Sequence, residues 1–162
     1  MSNLTYGEVT MKGAYELATL LKPFVTPDST FVDVGSGYGK LPQAIAEFLD
    51  INTIGIEIDK SKHNIATKIK WSNKRENIKL IQGDFTDKRN LKIIRSADLV
   101  FANNVTWSEN LNNILYENCS KHLFLMKLSP FIKLKELQAD ISVSWFKDRK
   151  SHIYKINTNA QR

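Results

Sequence analysis

The sequence predicts an α/β fold: a doubly wound, mostly parallel sheet that finishes in an antiparallel hairpin. Three observations carry this expectation. Short β-rich runs alternate with longer helical patterns along the chain. Those runs are nearly continuous in apolar residues, as strands buried on both faces of a parallel sheet are. The first of them leads straight into a turn of closely spaced glycines, FVDVGSGYGK at Phe31 to Lys40. With 162 residues, 42% apolar and 25% charged, the chain has the size and make-up of one globular domain, expected to span residues 1–162.

Element by element, the expected strands are TFVDV (Thr30 to Val34), TIGIEI (Thr53 to Ile58), IKLIQ (Ile78 to Gln82), ADLVFA (Ala97 to Ala102) and HLFLMK (His122 to Lys127). Helices are expected over Met11 to Leu21, Leu41 to Leu49, Ser61 to Trp71, Asp87 to Arg95 and Ser108 to Tyr116. Pro42 falls in a first helical turn, where its missing N–H is harmless. After Pro130 the pattern changes. Ile141 to Trp145 and Ile153 to Ile156 flank the polar FKDRKS and read as a hairpin at the sheet edge.

Composition excludes several classes. The lone Cys119 forms no internal disulfide, and neither it nor the scattered His63, His122 and His152 has the spacing of zinc ligands, so no metal is expected. A reducing, intracellular setting follows. The N-terminal MSNLTYGEVT lacks a basic stretch followed by an apolar one, and no run approaches the roughly 20 apolar residues of a membrane span; secretion and membrane insertion are therefore not expected. A formal charge of +6 favours an anionic partner and says nothing of fold.

In an open α/β sheet, ligands sit beyond the carboxyl ends of the strands, and glycines after the first strand let the backbone approach them. A Walker phosphate loop needs four residues between its glycines and Ser or Thr after the lysine. Here three residues separate Gly35 from Gly39, and Leu41 follows Lys40. A dinucleotide fingerprint is G-x-G-x-x-G, whereas Gly35, Gly37 and Gly39 make G-x-G-x-G with Asp33 two residues ahead. A carboxylate there repels a pyrophosphate and suits a cation. S-adenosylmethionine carries a sulfonium and an ammonium and no phosphate.

Two further acids fit that ligand. Glu57 closes the second strand about 20 residues beyond the glycines, where a carboxylate can take both ribose hydroxyls. Asp84, in GDF after the third strand, is placed to accept from the adenine amino group, with Phe85 packing on the ring. The bland alternative is that Asp33, Glu57 and Asp84 merely cap turns. As a set at three successive strand ends, they point to the class-I S-adenosylmethionine-dependent methyltransferase fold.

The chain also resembles a particular family over nearly its whole length. YGE at Tyr6 to Glu8, FVDVGSGYGK, GIE at Gly55 to Glu57, GDF at Gly83 to Phe85, FANN at Phe101 to Asn104, SPF at Ser129 to Phe131 and SVSW at Ser142 to Trp145 occur in the order found in the Dot-one (disruptor of telomeric silencing) family, the non-SET histone lysine methyltransferases. The resemblance implies that Tyr6, Gly7, Glu8, Val9, Asp33, Gly35, Ser36, Gly37, Gly39, Lys40, Glu57, Asp84, Phe85 and Asn103 bind S-adenosylmethionine. It implies that Asn103, Phe131, Trp145 and the hairpin strand carrying His152 and Tyr154 shape the catalytic end. Three departures stand out: Val9 follows YGE where the family has threonine, Lys40 replaces glutamine, and His152-Ile153-Tyr154 replaces an aromatic pair. Strand alternation puts His152 and Tyr154 on one face, leaving open which lines the lysine channel.

The resemblance further implies a nucleosome as partner, a nuclear or other chromatin-containing location, and a monomer. The chain has no room for the family's N-terminal helical region or lysine-rich segment, so a minimal nucleosome contact is expected. Candidate DNA-phosphate contacts include Lys68, Lys74, Arg75, Lys147, Arg149 and Lys150; the duller account is a solvated charged face. Methylation of RNA or of another protein stays open, as does a cofactor-fold binding module without activity. Val105 after Asn104, in place of the Pro-Pro usual in enzymes that methylate exocyclic base amines, argues against base methylation.

Overall fold

The computed structural model describes residues 9–69, 76–126, 135–143 and 150–157. Its elements run α1 (Met11–Leu21), a 3-10 turn (Lys22–Phe24), β1 (Thr30–Val34), α2 (Lys40–Leu49), β2 (Asn52–Glu57), α3 (Lys60–Lys68), β3 (Ile78–Gln82), α4 (Lys88–Ser96), β4 (Leu99–Ala102), α5 (Glu109–Asn118), β5 (His122–Leu125), β6 (Lys135–Ser142) and β7 (Lys150–Asn157). The sheet has seven strands in the order β3-β2-β1-β4-β5-β7-β6. β1 to β5 are parallel, and β7 enters antiparallel between β5 and β6. The chain order reverses beside β1, which makes the carboxyl ends of β1 and β4 the switch point of the sheet.

Alternation along the strands sorts the core into two layers. Phe31, Leu99, Phe101 and Phe124 are buried with Leu17 and Leu21 of α1 and Ala44 and Ile45 of α2. Val32, Val100 and Leu125, one residue on from Phe31, Leu99 and Phe124, are buried on the opposite side with Ile94 of α4 and Leu115 of α5. Both faces of the central strands are thus covered, which explains why their sequences lack polar alternation.

Thr10 starts α1 as a cap whose Oγ1 accepts the Gly13 N–H at 3.0 Å. The same hydroxyl donates to the Ser142 carbonyl at 3.1 Å. Ser142 N–H in turn donates to Glu16 Oε2 at 2.7 Å, and Val9 bridges Val143. The start of the described chain is therefore tied to the end of β6.

The structure departs from the expected pattern at the hairpin. β6 occupies Lys135–Ser142, not Ile141 to Trp145. Among the described strands it pairs with β7 alone, with a register shift between Leu137 and Ala139, and its KELQAD stretch is too polar to announce a strand. As the last strand in the described order, β6 has an edge position that tolerates such residues. α3 ends at Lys68, short of the expected Trp71, which lies outside the described residues.

Candidate functional site

The glycine turn after β1 is built on left-handed backbone. Gly35, Gly37 and Gly39 have φ of 82°, 55° and 70°, conformations that residues with a Cβ adopt only with strain. Gly35 and Ser36 N–H both donate to the Ile56 carbonyl, at 2.8 and 3.1 Å, which folds the turn back over β2. Gly55 leaves room for that fold: a Cβ there would lie 2.7 Å from Ser36 Oγ.

Glu57, at the tip of β2, clamps this arrangement. Its Oε2 accepts the Gly37 N–H at 2.6 Å, and its Oε1 accepts the Asp59 N–H at 2.8 Å. Asp33 pairs in register with Gly55 on one side and Phe101 on the other. Glu57 lies two residues beyond Gly55, so both acids project on the same side of the sheet. Asp33 is only 4% exposed. Burial, with the neighbouring Glu57 adding to it, pushes its carboxyl up to about 8.

These groups line a cavity of about 390 Å³ above the strand tips, a volume within the range of small-molecule sites. Asp84 joins it after β3, with Oδ1 accepting the Thr86 N–H and hydroxyl at 2.8 Å each. The Asp84 carbonyl accepts from Asn90 Nδ2 at 2.6 Å, anchoring the loop to α4. Phe85 and Trp107 also line the cavity. Their rings stack with centroids 5.0 Å apart and planes 10° from parallel. Ile58 and Val105 are cavity-lining apolar residues left 63% and 38% exposed, surface that a bound ligand would cover.

The two asparagines after β4 divide their labour. Asn103 lines the cavity. Asn104 is fully buried: it donates to Asn112 Oδ1 at 2.6 Å and accepts the Met126 N–H at 3.1 Å. It thereby fixes the β4–α5 loop to α5 and to the end of β5.

The sequence model of the family described as "Histone methylation protein DOT1" matches residues 1–156. The chain belongs to the DOT1 family. A Drosophila melanogaster relative described as an H3 lysine-79 specific histone-lysine N-methyltransferase is 32% identical over a stretch covering 69% of this chain and 6% of that protein. This DOT1-family chain thus corresponds to a small part of that relative's length. Among solved structures, an RNA methyltransferase from Salinibacter ruber with S-adenosyl-L-homocysteine superposes with a TM-score of 0.67 at 19% identity, covering 94% of this chain and 95% of that one. A SAM-dependent methyltransferase from Thiobacillus denitrificans, also with S-adenosyl-L-homocysteine, gives 0.55 at 15% identity over 76% and 53% of the two chains. The fold of this DOT1-family member is the class-I methyltransferase fold.

Of the residues singled out in the sequence, Val9, Asp33, Gly35, Ser36, Lys40, Glu57, Asp84, Phe85 and Asn103 line this cavity. Gly37 and Gly39 do not. Gly37 gives its N–H to Glu57, and Gly39 sits against Ala66 and Leu80, where a Cβ would lie 3.1 Å from each. Their contribution is to shape the turn. Tyr154 packs half-buried against the apolar layer under α4 and α5, opposite Leu125, and is not part of the cavity wall among the described residues. His152 pairs with Asp140 in the β6–β7 ladder. Tyr6, Gly7, Glu8, Phe131 and Trp145 lie outside the described residues. Thr10, the neighbour of the departure at Val9, is engaged in capping α1.

Trp107 and Ile58 are cavity residues that the sequence reading missed. For Ile58 a signal existed: an apolar residue directly after a strand-end acid, where burial stops. For Trp107 it was a tryptophan in the mostly polar NNVTWSEN.

Proposed function

We propose that this chain is an S-adenosylmethionine-dependent protein lysine N-methyltransferase acting on a lysine in the folded core of histone H3 in nucleosomes. The observation that carries the reading is one cavity in which Asp33, Glu57, Asp84 and Asn103 converge within a chain matched to the DOT1 family over residues 1–156. A chromatin-containing compartment follows from that substrate.

The residues present fit the methyl donor. A buried Asp33 whose carboxyl is raised to about 8 lacks sufficient positive charge around it, and an ammonium or sulfonium supplies what is missing. Glu57 keeps acceptor capacity beyond its two backbone bonds, because an ionised carboxylate offers roughly four lone-pair sites. Asp84 stands beside the stacked Phe85 and Trp107, an acceptor next to an aromatic platform suited to a purine.

When bound, S-adenosylmethionine supplies an electrophilic methyl carbon for in-line transfer to an amine. The task left to the chain is alignment, and positioning of that kind supplies roughly 7–11 kcal/mol of barrier lowering. Asn103, just after β4 and in the cavity lining, is the amide we assign to the reacting groups, in a loop fixed by the buried Asn104. The substrate ammonium must lose its proton. Entry into a narrow, largely apolar space lowers its pKa by desolvation, so water can take that proton without a strong base.

The test is mass spectrometry of recombinant nucleosomes after incubation with the chain and S-adenosylmethionine, with free histones and RNA in parallel. A methylated lysine in the H3 core is the expected result. Labelling confined to RNA, or none on any histone, overturns the reading.

A further inference from the structure

We infer that the face of the sheet carrying α4 is a docking surface for the phosphate backbone of duplex DNA, separate from the cavity. The inference rests on the nucleosomal substrate proposed above. α4 is KRNLKIIRS. Ile94 is buried, with Leu91 and Ile93 packed beside it against the sheet, whereas Lys88, Arg89, Lys92 and Arg95 are all exposed. Lys79 of β3 is exposed too, and it shares a face with Ile81, which belongs to the layer under α4.

This outward face works against the helix that bears it. The first turn of α4 contains no acid, although the N-terminus of a helix carries partial positive charge and disfavours cations by about 0.3–1 kcal/mol each. Lys88 and Lys92 stand four residues apart, so their like charges repel across one turn. Asp87, the one acid in residues 87–96 against four cations, makes no side-chain capping bond. Arg95 engages Asn118 Oδ1 at 2.8 Å; no salt bridge holds Lys88, Arg89 or Lys92 among the described residues. Local rules broken without gain inside the fold mark a surface shaped for something outside it.

A rigid polyanion fits best. Lys88, Lys92 and Arg95 follow one helical stripe over roughly 10 Å at about 1.5 Å per residue. Duplex DNA presents one charge per about 1.7 Å of axis, and a nucleosomal lysine is delivered beside such a duplex. Lys88 also lies only a few residues beyond Asp84 and Phe85 of the cavity, so a duplex held by α4 brings its histone close to the site.

The test uses the full chain with a Lys88→Glu/Arg89→Glu/Lys92→Glu triple variant and a second triple with glutamine at the same positions. Binding to a labelled duplex is followed by fluorescence anisotropy across a salt series, and S-adenosylmethionine affinity by calorimetry. Expected are at least tenfold weaker duplex binding by the glutamate variant, a smaller loss with glutamine, and a salt dependence shallower by about two to three in log–log slope. Cofactor affinity should be unchanged. Unaltered duplex affinity, an equal loss of cofactor affinity in both variants, or tighter binding of single-stranded RNA through the same residues overturns the inference. A chain that grips duplex DNA through α4 but methylates no histone loses only the proposed activity. One that methylates nucleosomes while the glutamate variant binds DNA normally loses only the docking surface.

Discussion

Glu57 holds the glycine turn directly, through the 2.6 Å bond from the Gly37 N–H to its Oε2. Strand-end carboxylates at a ligand cleft seldom support the core, and on that ground Glu57→Ala is expected to spare the fold. The geometry adds a stability cost to that expectation. Removing the side chain leaves the Gly37 and Asp59 N–H groups without their acceptor, and charge-assisted bonds of this kind are worth about 1.5–3 kcal/mol each when buried. Glu57→Ala should lower stability by about 1–3 kcal/mol, solvent replacing part of the loss at half-open Asp59. It should also weaken S-adenosylmethionine binding at least tenfold. Denaturant unfolding and calorimetry on the same preparation check both; unchanged affinity would remove Glu57 from the site.

Asp33 gives the site a pH signature. Its carboxyl, raised to about 8 by burial and by Glu57, is protonated at pH 7 without a ligand. Binding a cationic donor ionises it, so binding at pH 7 should release up to about one proton, and affinity should rise with pH between 6 and 8 by at most tenfold per unit. Calorimetry in two buffers of different ionisation heat counts that proton. Stability without ligand runs the other way. The unfolded acid ionises near 3.8 while the folded one keeps its proton to about 8, so the folded state binds more protons across that window. The contribution of Asp33 to stability is thus full below about 4 and lost as pH rises through 8. Asp33→Asn should flatten both profiles.

Local chemistry made much of this structure legible. α1, β1 and β3 have the boundaries their patterns predict, because Thr10 caps the first and continuous apolar runs mark the others. The acids were legible because each sits at a strand end, and strand ends can be read from burial. The aromatic pair was not. Phe85 follows β3 and Trp107 follows β4, strands separated in the sheet by β2 and β1, so their stacking is a tertiary event above the strand tips that no local pattern encodes. Tyr154 shows a related limit of local pattern: alternation groups it with His152 on one face but does not say which face meets the cavity.

The asparagine pair separates chemistry from scaffolding. Asn104→Ala deletes the bonds to Asn112 and to the Met126 N–H in a fully buried setting, which should cost about 2–4 kcal/mol of stability. Asn103→Ala, at a half-buried position, should cost less stability than Asn104→Ala. S-adenosylmethionine binding should survive and turnover fall by about tenfold or more. Thermal unfolding and single-turnover methylation distinguish the two. A variant at Asn103 with parental turnover would assign the catalytic end elsewhere.

Gly55 and Ser36 offer a test of the turn itself. A Cβ on Gly55 would approach Ser36 Oγ to 2.7 Å, Ser36 Cβ to 2.8 Å and Leu80 Cδ2 to 3.0 Å, contacts that force the turn or the strand to move. Overpacking of this kind costs about 1–3 kcal/mol, and because Ser36 itself lines the cavity, Gly55→Ala should weaken S-adenosylmethionine binding as well as stability. The second change Ser36→Gly removes the two closest atoms. If the clash is with the turn, Gly55→Ala/Ser36→Gly should be more stable than Gly55→Ala alone and recover part of the lost affinity, a coupling read by a double-mutant cycle in unfolding and in calorimetry. Additive losses would instead put the strain at Leu80, beneath the turn, and leave the seating of Ser36 without a role in the cavity.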